Sequence, residues 1–264
     1  MGSKGTAVVT GASSGIGAVY ADRLAERGYD LVLIARRADR LDEVAERIRA
    51  KTGRTVTAFP ADLSDELDLA RVEILLKETP AITLLVNNAG LGGALKLLDS
   101  DVEQMTSMIA LNVTALTRLT YAVIPEFVRR GAGTVVNIGS IVAINPEALN
   151  GVYGGTKAFV LAFSQNLRNE LQGTGVTVQV VLPGATATDF WDLSGRPLEQ
   201  LPSGIVMSSK DLVDAALVGL DRGEFATIPS LQDGGLYDAY ESARQGMIGS
   251  LSTATPAPRY RVAA

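Results

Sequence analysis

Short apolar runs of strand length alternate with helix-period segments from Thr6 almost to the end of the chain, and this alternation restricts the fold more than any other feature. Strands are predicted at Thr6–Thr10, Leu31–Ala35, Thr55–Pro60, Thr83–Asn87, Gly133–Gly139, Thr177–Leu182 and Ala226–Pro229. Their near-continuous Val/Ile/Leu content marks strands covered on both faces. Helices are predicted at Gly15–Arg27, Ala38–Lys51, Ser64–Lys77, Ser100–Arg130, Tyr153–Gln172 and Ser209–Arg222. Strand and helix in strict alternation give a parallel sheet with crossover helices. Ser64 before Asp65 and Glu66, and Ser209 before Asp211, place acids where a helix N-terminal dipole favours them, while Gly28, Gly53, Gly131, Gly173 and Gly223 stand at C-terminal stops. The expected fold class is therefore α/β: a three-layer, doubly wound parallel sheet of about seven strands with helices on both faces. At 264 residues and 47% hydrophobic content the chain can close one large core. A single catalytic domain over 1–251 is expected, with 252–264, which holds two prolines and little periodicity, as a loose tail.

Composition narrows the chemistry. With no cysteine there is neither a disulfide nor a thiolate metal site, and with no histidine the imidazole bases, the usual metal ligands and Ser-His-Asp triads are gone. No metal is expected. Acid–base work must fall to Tyr, Lys, Asp or Glu. The net charge is −5, and no Lys/Arg cluster resembles a nucleic-acid or polybasic membrane patch. Neither nucleic acid nor membrane is an expected partner. The segment before Thr6 lacks the apolar stretch of a signal peptide, and no run of about 18 apolar residues suggests a span, so a cytoplasmic protein is expected.

Between the first strand and the first helix lies Thr10-Gly11-Ala12-Ser13-Ser14-Gly15-Ile16-Gly17. Glycines permit a tight turn and close backbone approach, and the free N–H groups of the helix start then face a pyrophosphate. The position between strand and apolar-faced helix is the context that gives such a turn its meaning. The second strand ends Ala35-Arg36-Arg37, where a fold that prefers NAD places an acid against the ribose 2′-hydroxyl. A guanidinium there suits a 2′-phosphate instead. Neighbours in an extended segment point opposite ways, so one of Arg36 and Arg37 is expected to bind. Arg36 is favoured, with Ser14 as an additional phosphate ligand, and NADP(H) is the expected cofactor.

Tyr153-Gly-Gly-Thr-Lys157 joins a phenol to an ammonium at i, i+4, a spacing that lets the two meet on a helix. A free phenol with a pKa of about 10 is a poor catalyst at neutral pH, and a nearby ammonium lowers it. Gly154 and Gly155 each cost a helix about 1 kcal/mol against alanine, which places them near its start, where backbone must approach something closely. Tyr-x-x-x-Lys can arise by chance, but none of the other six tyrosines has a lysine four residues on.

In combination these features resemble the classical short-chain dehydrogenase/reductase family, over essentially residues 5 to 250. The matching pieces are Thr10-Gly-x-x-x-Gly-x-Gly17, Asp62 after the third strand, Asn87-Asn-Ala-Gly90 after the fourth, Asn112 in the long helix, Ser140 after the fifth, Tyr153-x-x-x-Lys157, and Pro183-Gly184 after the sixth. All lie at carboxyl ends of predicted strands or on adjoining helices, where such sheets bind ligands. The resemblance implies a Rossmann-type fold and hydride transfer between a nicotinamide and an alcohol or carbonyl carbon. Tyr153 would exchange the proton, Ser140 would hydrogen-bond the carbonyl oxygen, Lys157 would lower the Tyr153 pKa and hold the nicotinamide ribose, and Asn112 would complete a proton relay through water. The cofactor would lie against Gly11, Ser13, Ser14, Gly15, Ile16 and Gly17, with Asp62 and Leu63 at the adenine, Asn88, Ala89 and Gly90 at the adenosine ribose, and Pro183, Gly184 and Thr188 framing the nicotinamide. Thr186 is an alternate contact. The departure from the family pattern is Gly155, where Ser or Ala is usual.

Ile141–Asn150 and Asp189–Ser208 are the segments that would flank the nicotinamide. Val142, Phe190 and Trp191 lead a set that also holds Ile141, Ile144, Leu193, Leu198, Leu201, Ile205 and Met207, which suits an apolar ketone, aldehyde or secondary alcohol. Arg196 is the only basic side chain of the second segment before Lys210, so no acidic substrate is inferred. The family also implies a homodimer or homotetramer, through the faces of Ser100–Arg130 and Tyr153–Gln172. Two other functions compete: a non-catalytic NADP-binding regulator of the same fold, which should have lost Tyr153, Lys157 or Ser140, and an epimerase or dehydratase, which should carry a longer C-terminal substrate domain.

Overall fold

Successive residues of the first strand β1 (Thr6–Thr10) serve two different cores. Ala7 and Val9 face one layer of helices and Val8 the other, as the period of two requires of a strand covered on both sides. The same division runs through β2 (Asp30–Ala35), where Leu31, Leu33 and Ala35 point one way and Val32 and Ile34 the other. The computed structural model describes residues 4–194 and 197–260. Within them the main strands continue as β3 (Val56–Pro60), β4 (Ile82–Asn87), β5 (Gly133–Ile138) and β6 (Val176–Val181). Two-residue strands follow at β7 (Thr186–Ala187), β8 (Met207–Ser208) and β9 (Ala226–Thr227). The main sheet has seven strands in the order β3-β2-β1-β4-β5-β6-β9, all pairs parallel. β7 and β8 pair separately.

One face is covered by α1 (Gly15–Glu26), α2 (Ala38–Thr52) and α8 (Ser209–Asp221), the other by α3 (Glu66–Glu78) and α5 (Leu116–Arg130). Arg23 pairs with Asp214 at 2.5 Å and Arg27 with Asp221 at 2.8 Å, fastening α1 to α8. α4 (Val102–Ile109) and α6 (Gly151–Glu170) complete the layers around the carboxyl ends of β4 and β5, and a short α7 spans Phe190–Leu193. All five glycines expected at helix stops adopt positive φ, between 67° and 98°. Two caps differ from expectation: Asp65, not Ser64, caps α3 by accepting from Leu67 and Asp68 N–H, and Ser208 rather than Ser209 caps α8.

The expected single helix Ser100–Arg130 is α4 and α5 joined by a π-helical turn at Ala110–Ala115. Val102–Arg130 has the length and mean hydropathy, 1.3, of a membrane span, a feature the sequence reading did not register. Its buried Leu116, Leu119, Ala122, Val123 and Phe127 pack against the sheet, as a core helix does.

By contacts the chain divides into Met1–Ser230 and Leu231–Ala264, a boundary ahead of the expected one at 251/252 and just beyond the end of β9. The second unit contains a helix the sequence did not suggest, α9 (Gly235–Gly246), which begins on a Gly234-Gly235 pair that reads as a helix breaker.

Candidate active site

The carboxyl ends of the central strands converge on one buried constellation. α6 begins where Asn150 caps it, accepting from Val152 N–H at 2.8 Å and Tyr153 N–H at 3.4 Å while its Nδ2 donates to Leu95 O at 2.8 Å. The cap fixes Tyr153 one turn into the helix. Gly154 is the close approach anticipated from the glycine pair: a Cβ there would lie 3.1 Å from Pro146 O. Gly155 meets nothing and is solvent-exposed, so the departure from the family pattern is structurally tolerated.

Tyr153 packs with Met108 and Val142 in a small apolar cluster. Burial raises its pKa to about 12, against a lesser lowering by the hydrogen bond with Ser140. The expected depression by Lys157 is not what this environment produces. The ammonium lies 5.8 Å from the ring centroid, and removal of the phenol from water is the stronger effect. Lys157 is itself buried, donates to Ile138 O at 2.9 Å, and has its pKa lowered to about 8 by desolvation. Ser140 lies two residues beyond β5, with Oγ accepting from Val142 N–H at 3.3 Å and donating weakly to Pro183 O at 3.5 Å.

Asn112 sits in the π turn, the kind of insertion that recurs at functional sites. Its carboxamide works as a backbone clamp: Oδ1 accepts from Leu91 N–H at 2.9 Å, and Nδ2 donates to Leu91 O at 2.9 Å and Thr156 Oγ1 at 3.0 Å. Gly90 lies beside it, where a Cβ would be 3.2 Å from Asn112 Oδ1 and 3.7 Å from Lys157 Nζ. Asn112, Ser140, Tyr153 and Lys157 therefore enclose one space. Deeper, Asn87 Nδ2 donates to Thr120 Oγ1 and Asn137 Oδ1, and Asn137 to Ser164 Oγ, a fully buried ladder that ties β4 to β5 and α6.

The glycine turn forms the second half. Thr10 Oγ1 accepts from both Asn88 N–H and Ala89 N–H at 2.9 Å, and Asn88 Nδ2 donates to Thr10 O at 2.8 Å, locking the turn to the end of β4. Gly11 and Gly15 hold φ of 65° and 54°, and a Cβ at Gly17 would lie 2.5 Å from Asn88 Nδ2 and nearer still to the Gly11 carbonyl. The N-cap Ser14 of α1, like the N-caps of α2, α5, α7 and α9, makes no side-chain hydrogen bond to its helix, and no acid stands in the first turn of α1. Ser13 lies in the turn and Ile16 packs on the core behind it. These N–H groups and the positive helix end fit a pyrophosphate.

Ser14 stands with Arg37 rather than with Arg36. Arg37 Nη2 donates to Ser14 Oγ at 3.3 Å, while Arg36 turns toward Asp62 at 3.6 Å. The alternation of an extended segment sends the two guanidiniums apart, Arg37 toward Ser14 and Arg36 toward Asp62. Asp62 Oδ1 also accepts from Ser64 N–H at 2.9 Å, and Leu63 is buried beneath it.

Pro183 O accepts from Ile141 N–H at 2.9 Å, and Gly184 O accepts from Thr186 Oγ1 at 3.0 Å. Thr188 faces the glycine turn: a Cβ at Gly15 would lie 3.0 Å from its Cγ2. Phe190 lies over Gly92, where any Cβ would occupy the ring's space, and its centroid is 5.5 Å from that of Tyr153. Trp191 packs edge-on against Phe190 and donates Nε1 to Thr186 O at 2.9 Å. Val142 and Phe190 thus form an apolar wall beside the phenol, with Trp191 packed on Phe190. Of the other flanking residues, Ile144 packs toward Leu182, Met207 toward the α1 core, and Ile205 is 58% exposed, so they lie apart from this wall. The Leu193 side chain and Arg196 lie outside what the structure describes. The sequence reading did not single out Asn150, Thr156 or Arg40, although Asn150 before Gly151 carries the signal of a helix cap.

A seven-stranded parallel sheet with a glycine-rich first turn and a buried Tyr/Lys/Ser set defines a dinucleotide-dependent oxidoreductase architecture. The short chain dehydrogenase family model matches residues 5–197, and the chain belongs to that family. Sulfoacetaldehyde reductase 2 of Chromohalobacter salexigens is 41% identical over 189 residues, 69% of this chain and 73% of that protein. Among solved structures, a short-chain dehydrogenase from Sphingobium yanoikuyae in complex with NADPH superposes with a TM-score of 0.94 at 49% identity, covering 97% of this chain and 100% of that one. The bulky-bulky ketone specific alcohol dehydrogenase from Comamonas testosteroni superposes with a TM-score of 0.89 at 44% identity, covering 97% and 98%.

Proposed function

We propose that the chain is an NADPH-dependent reductase of apolar ketones, working in reverse as a secondary-alcohol dehydrogenase. The observation that carries this reading is the Tyr153 phenol, buried against an apolar wall with Ser140 at its hydroxyl and the Lys157 ammonium beneath it. Bound NADPH supplies the hydride. The chain's part is to bind, orient and protonate. The uncapped start of α1 and the Gly11–Gly17 turn receive the pyrophosphate, Gly90 opens the space beside Lys157, and Pro183, Gly184, Thr186 and Thr188 line the inner end. Two Lys157 protons beyond the bond to Ile138 O are free to hold ribose hydroxyls. Ser140 Oγ donates to the carbonyl oxygen of the substrate, and the phenol, held in its acid form at neutral pH by burial, delivers a proton to that oxygen as charge develops on it. Resupply of the proton by water at the π turn around Asn112 completes the proposal.

Two relatives support the cofactor, the NADPH complex from S. yanoikuyae and a probable NADP-dependent dehydrogenase of Haemophilus influenzae, 40% identical over 68% of this chain and 70% of that protein. The apolar wall of Val142 and Phe190, backed by Trp191 on Phe190, favours a ketone with large substituents, of the kind named for the C. testosteroni enzyme, over a small sulfonated aldehyde. A non-catalytic regulator has no support, since the catalytic set is intact and assembled. A dimer or tetramer fits Val102, Ile109 and Tyr121, which are 69, 45 and 68% exposed on the helices expected to pair. Sedimentation of the purified chain tests that assembly. A cytoplasmic setting accords with dependence on the intracellular NADPH pool.

Arg37→Ala is expected to raise the Michaelis constant for NADPH at least tenfold and to leave that for NADH within about twofold, because a charge-assisted bond to phosphate is worth about 1.5–3 kcal/mol. An unchanged NADPH constant would remove Arg37 from the site. Gly17→Ala is expected to weaken binding of both cofactors and to cost about 1–3 kcal/mol in stability, since the methyl meets backbone that cannot yield. Thermal melting with and without NADPH reads both effects.

A further inference from the structure

One carboxylate joins the cofactor end of the cleft to the substrate wall. Asp189 Oδ2 lies 3.7 Å from Arg37 Nη2 and 3.4 Å from Arg40 Nη1. The same Arg37 nitrogen that reaches Asp189 donates to Ser14 Oγ. Asp189 is also the residue from which α7 starts, and the next two side chains are Phe190, over Gly92 and beside Tyr153, and Trp191, bonded to Thr186 O. Asp189 is therefore continuous in the chain with the wall of the active site.

We propose that Asp189 is an internal stand-in for the 2′-phosphate: it engages Arg37 and Arg40 in the free protein, and a 2′-phosphorylated nucleotide displaces it and so resets the Asp189–Trp191 turn. The inference rests on the NADPH reading above and adds Arg40 as a second phosphate-reading guanidinium. The competition has a clear direction. Arg37, Arg40 and Asp189 side chains are 44, 48 and 53% exposed, and pairs of that exposure at these distances hold weakly. A phosphate monoester carries a charge of about −1.5 to −2 and three acceptor oxygens in a geometry the guanidinium fork matches. The phosphate wins, and an adenosine lacking it leaves Asp189 in place. Cofactor identity is thereby read twice, once in affinity and once in the setting of the wall that receives the ketone. By linkage, whatever Asp189 contributes to holding the turn is subtracted from the affinity for the phosphate.

Trp191 is the chain's only tryptophan and reports on the turn without labelling. The full chain is titrated with adenosine 2′,5′-bisphosphate and with 5′-AMP, following heat by calorimetry and Trp191 emission in parallel. Neither ligand carries a nicotinamide and both carry a 5′-phosphate for the glycine turn, so a response to the bisphosphate that 5′-AMP does not give isolates the 2′-phosphate. The bisphosphate is expected to bind and to shift Trp191 emission, and 5′-AMP to bind more weakly without a shift. In Asp189→Asn the bisphosphate is expected to bind about two- to fivefold more tightly, with the emission response lost; Arg40→Gln should lose the response and weaken binding. Tighter binding alone could come from removal of a negative charge, but the emission response could not. Bisphosphate binding with Trp191 silent, or an undiminished response in Asp189→Asn, overturns the stand-in and leaves the NADPH reading standing. Failure of the bisphosphate to bind better than 5′-AMP overturns both.

Discussion

Tyr153→Phe is expected to lower the turnover of ketone reduction by about 10²–10⁴-fold, the range a positioned general acid contributes. NADPH affinity should stay within about twofold. The phenol lies in an apolar cluster with Met108 and Val142 and against Phe190, so the ring of phenylalanine refills the space and only the hydroxyl is lost. Folding stability should change by no more than about 1 kcal/mol, because the deleted group is a buried hydroxyl with one side-chain partner. A fall in kcat with the cofactor constant preserved assigns Tyr153 to the reacting oxygen rather than to the frame. Wild-type turnover in this variant would remove the acid from the mechanism.

Lys157→Met separates catalysis from stability. Turnover should fall by at least about 10²-fold, since the variant lacks both the ammonium below the ring and the donors proposed for the ribose hydroxyls. Stability should move the other way. Burial lowers the lysine pKa from 10.5 to about 8, so near pH 7 the folded chain holds a charge in a site that penalises it. The sign follows from proton counting. Between about pH 8 and 10 the unfolded chain keeps a proton that the folded chain has released, so the wild type gains stability as pH rises through that window. Below about pH 8 the penalty is present in full. Melting temperatures at pH 7 and pH 9.5 should therefore show the variant above the wild type at the lower pH and the gap narrowing at the higher. Above pH 10 the raised phenol of Tyr153 acts in the opposite sense, because the unfolded chain ionises first. A gap that does not vary with pH would show that Lys157 is not the buried charge described.

The parts legible in the sequence are those whose cause is local or periodic. Strands buried on both faces announce themselves as runs such as Ala7-Val8-Val9, and helix stops announce themselves as glycines that take positive φ. Tyr153 and Lys157 stand out because few other residues can perform acid–base work in a chain without histidine or cysteine, Ser140 stands out through the family resemblance, and the structure brings the three side chains together. What escaped depends on contacts made across the fold. The π turn forms where Asn112 bonds to the backbone of Leu91, a partner no helical periodicity reveals. The phenol's pKa follows from enclosure by Met108 and Val142, whereas spacing alone points only to the lysine and hence to the opposite shift. Which way Arg36 and Arg37 leave the end of β2 is likewise set across the fold, by Asp62 on one side and Ser14 on the other. Strands β7 and β8 hold two residues each and exist only because the segments before α7 and α8 meet.

The most direct test of the account is transfer of the label itself. Wild-type protein is incubated with NADPH deuterated at both C4 positions and with a panel of ketones bearing two large substituents, and the alcohol products are analysed by mass spectrometry and NMR. The expected result is one deuterium on the carbinol carbon for each NADPH oxidised, with far slower product formation in Tyr153→Phe. NADPH bound but unconsumed across the panel, or alcohol formed without deuterium at that carbon, would contradict it.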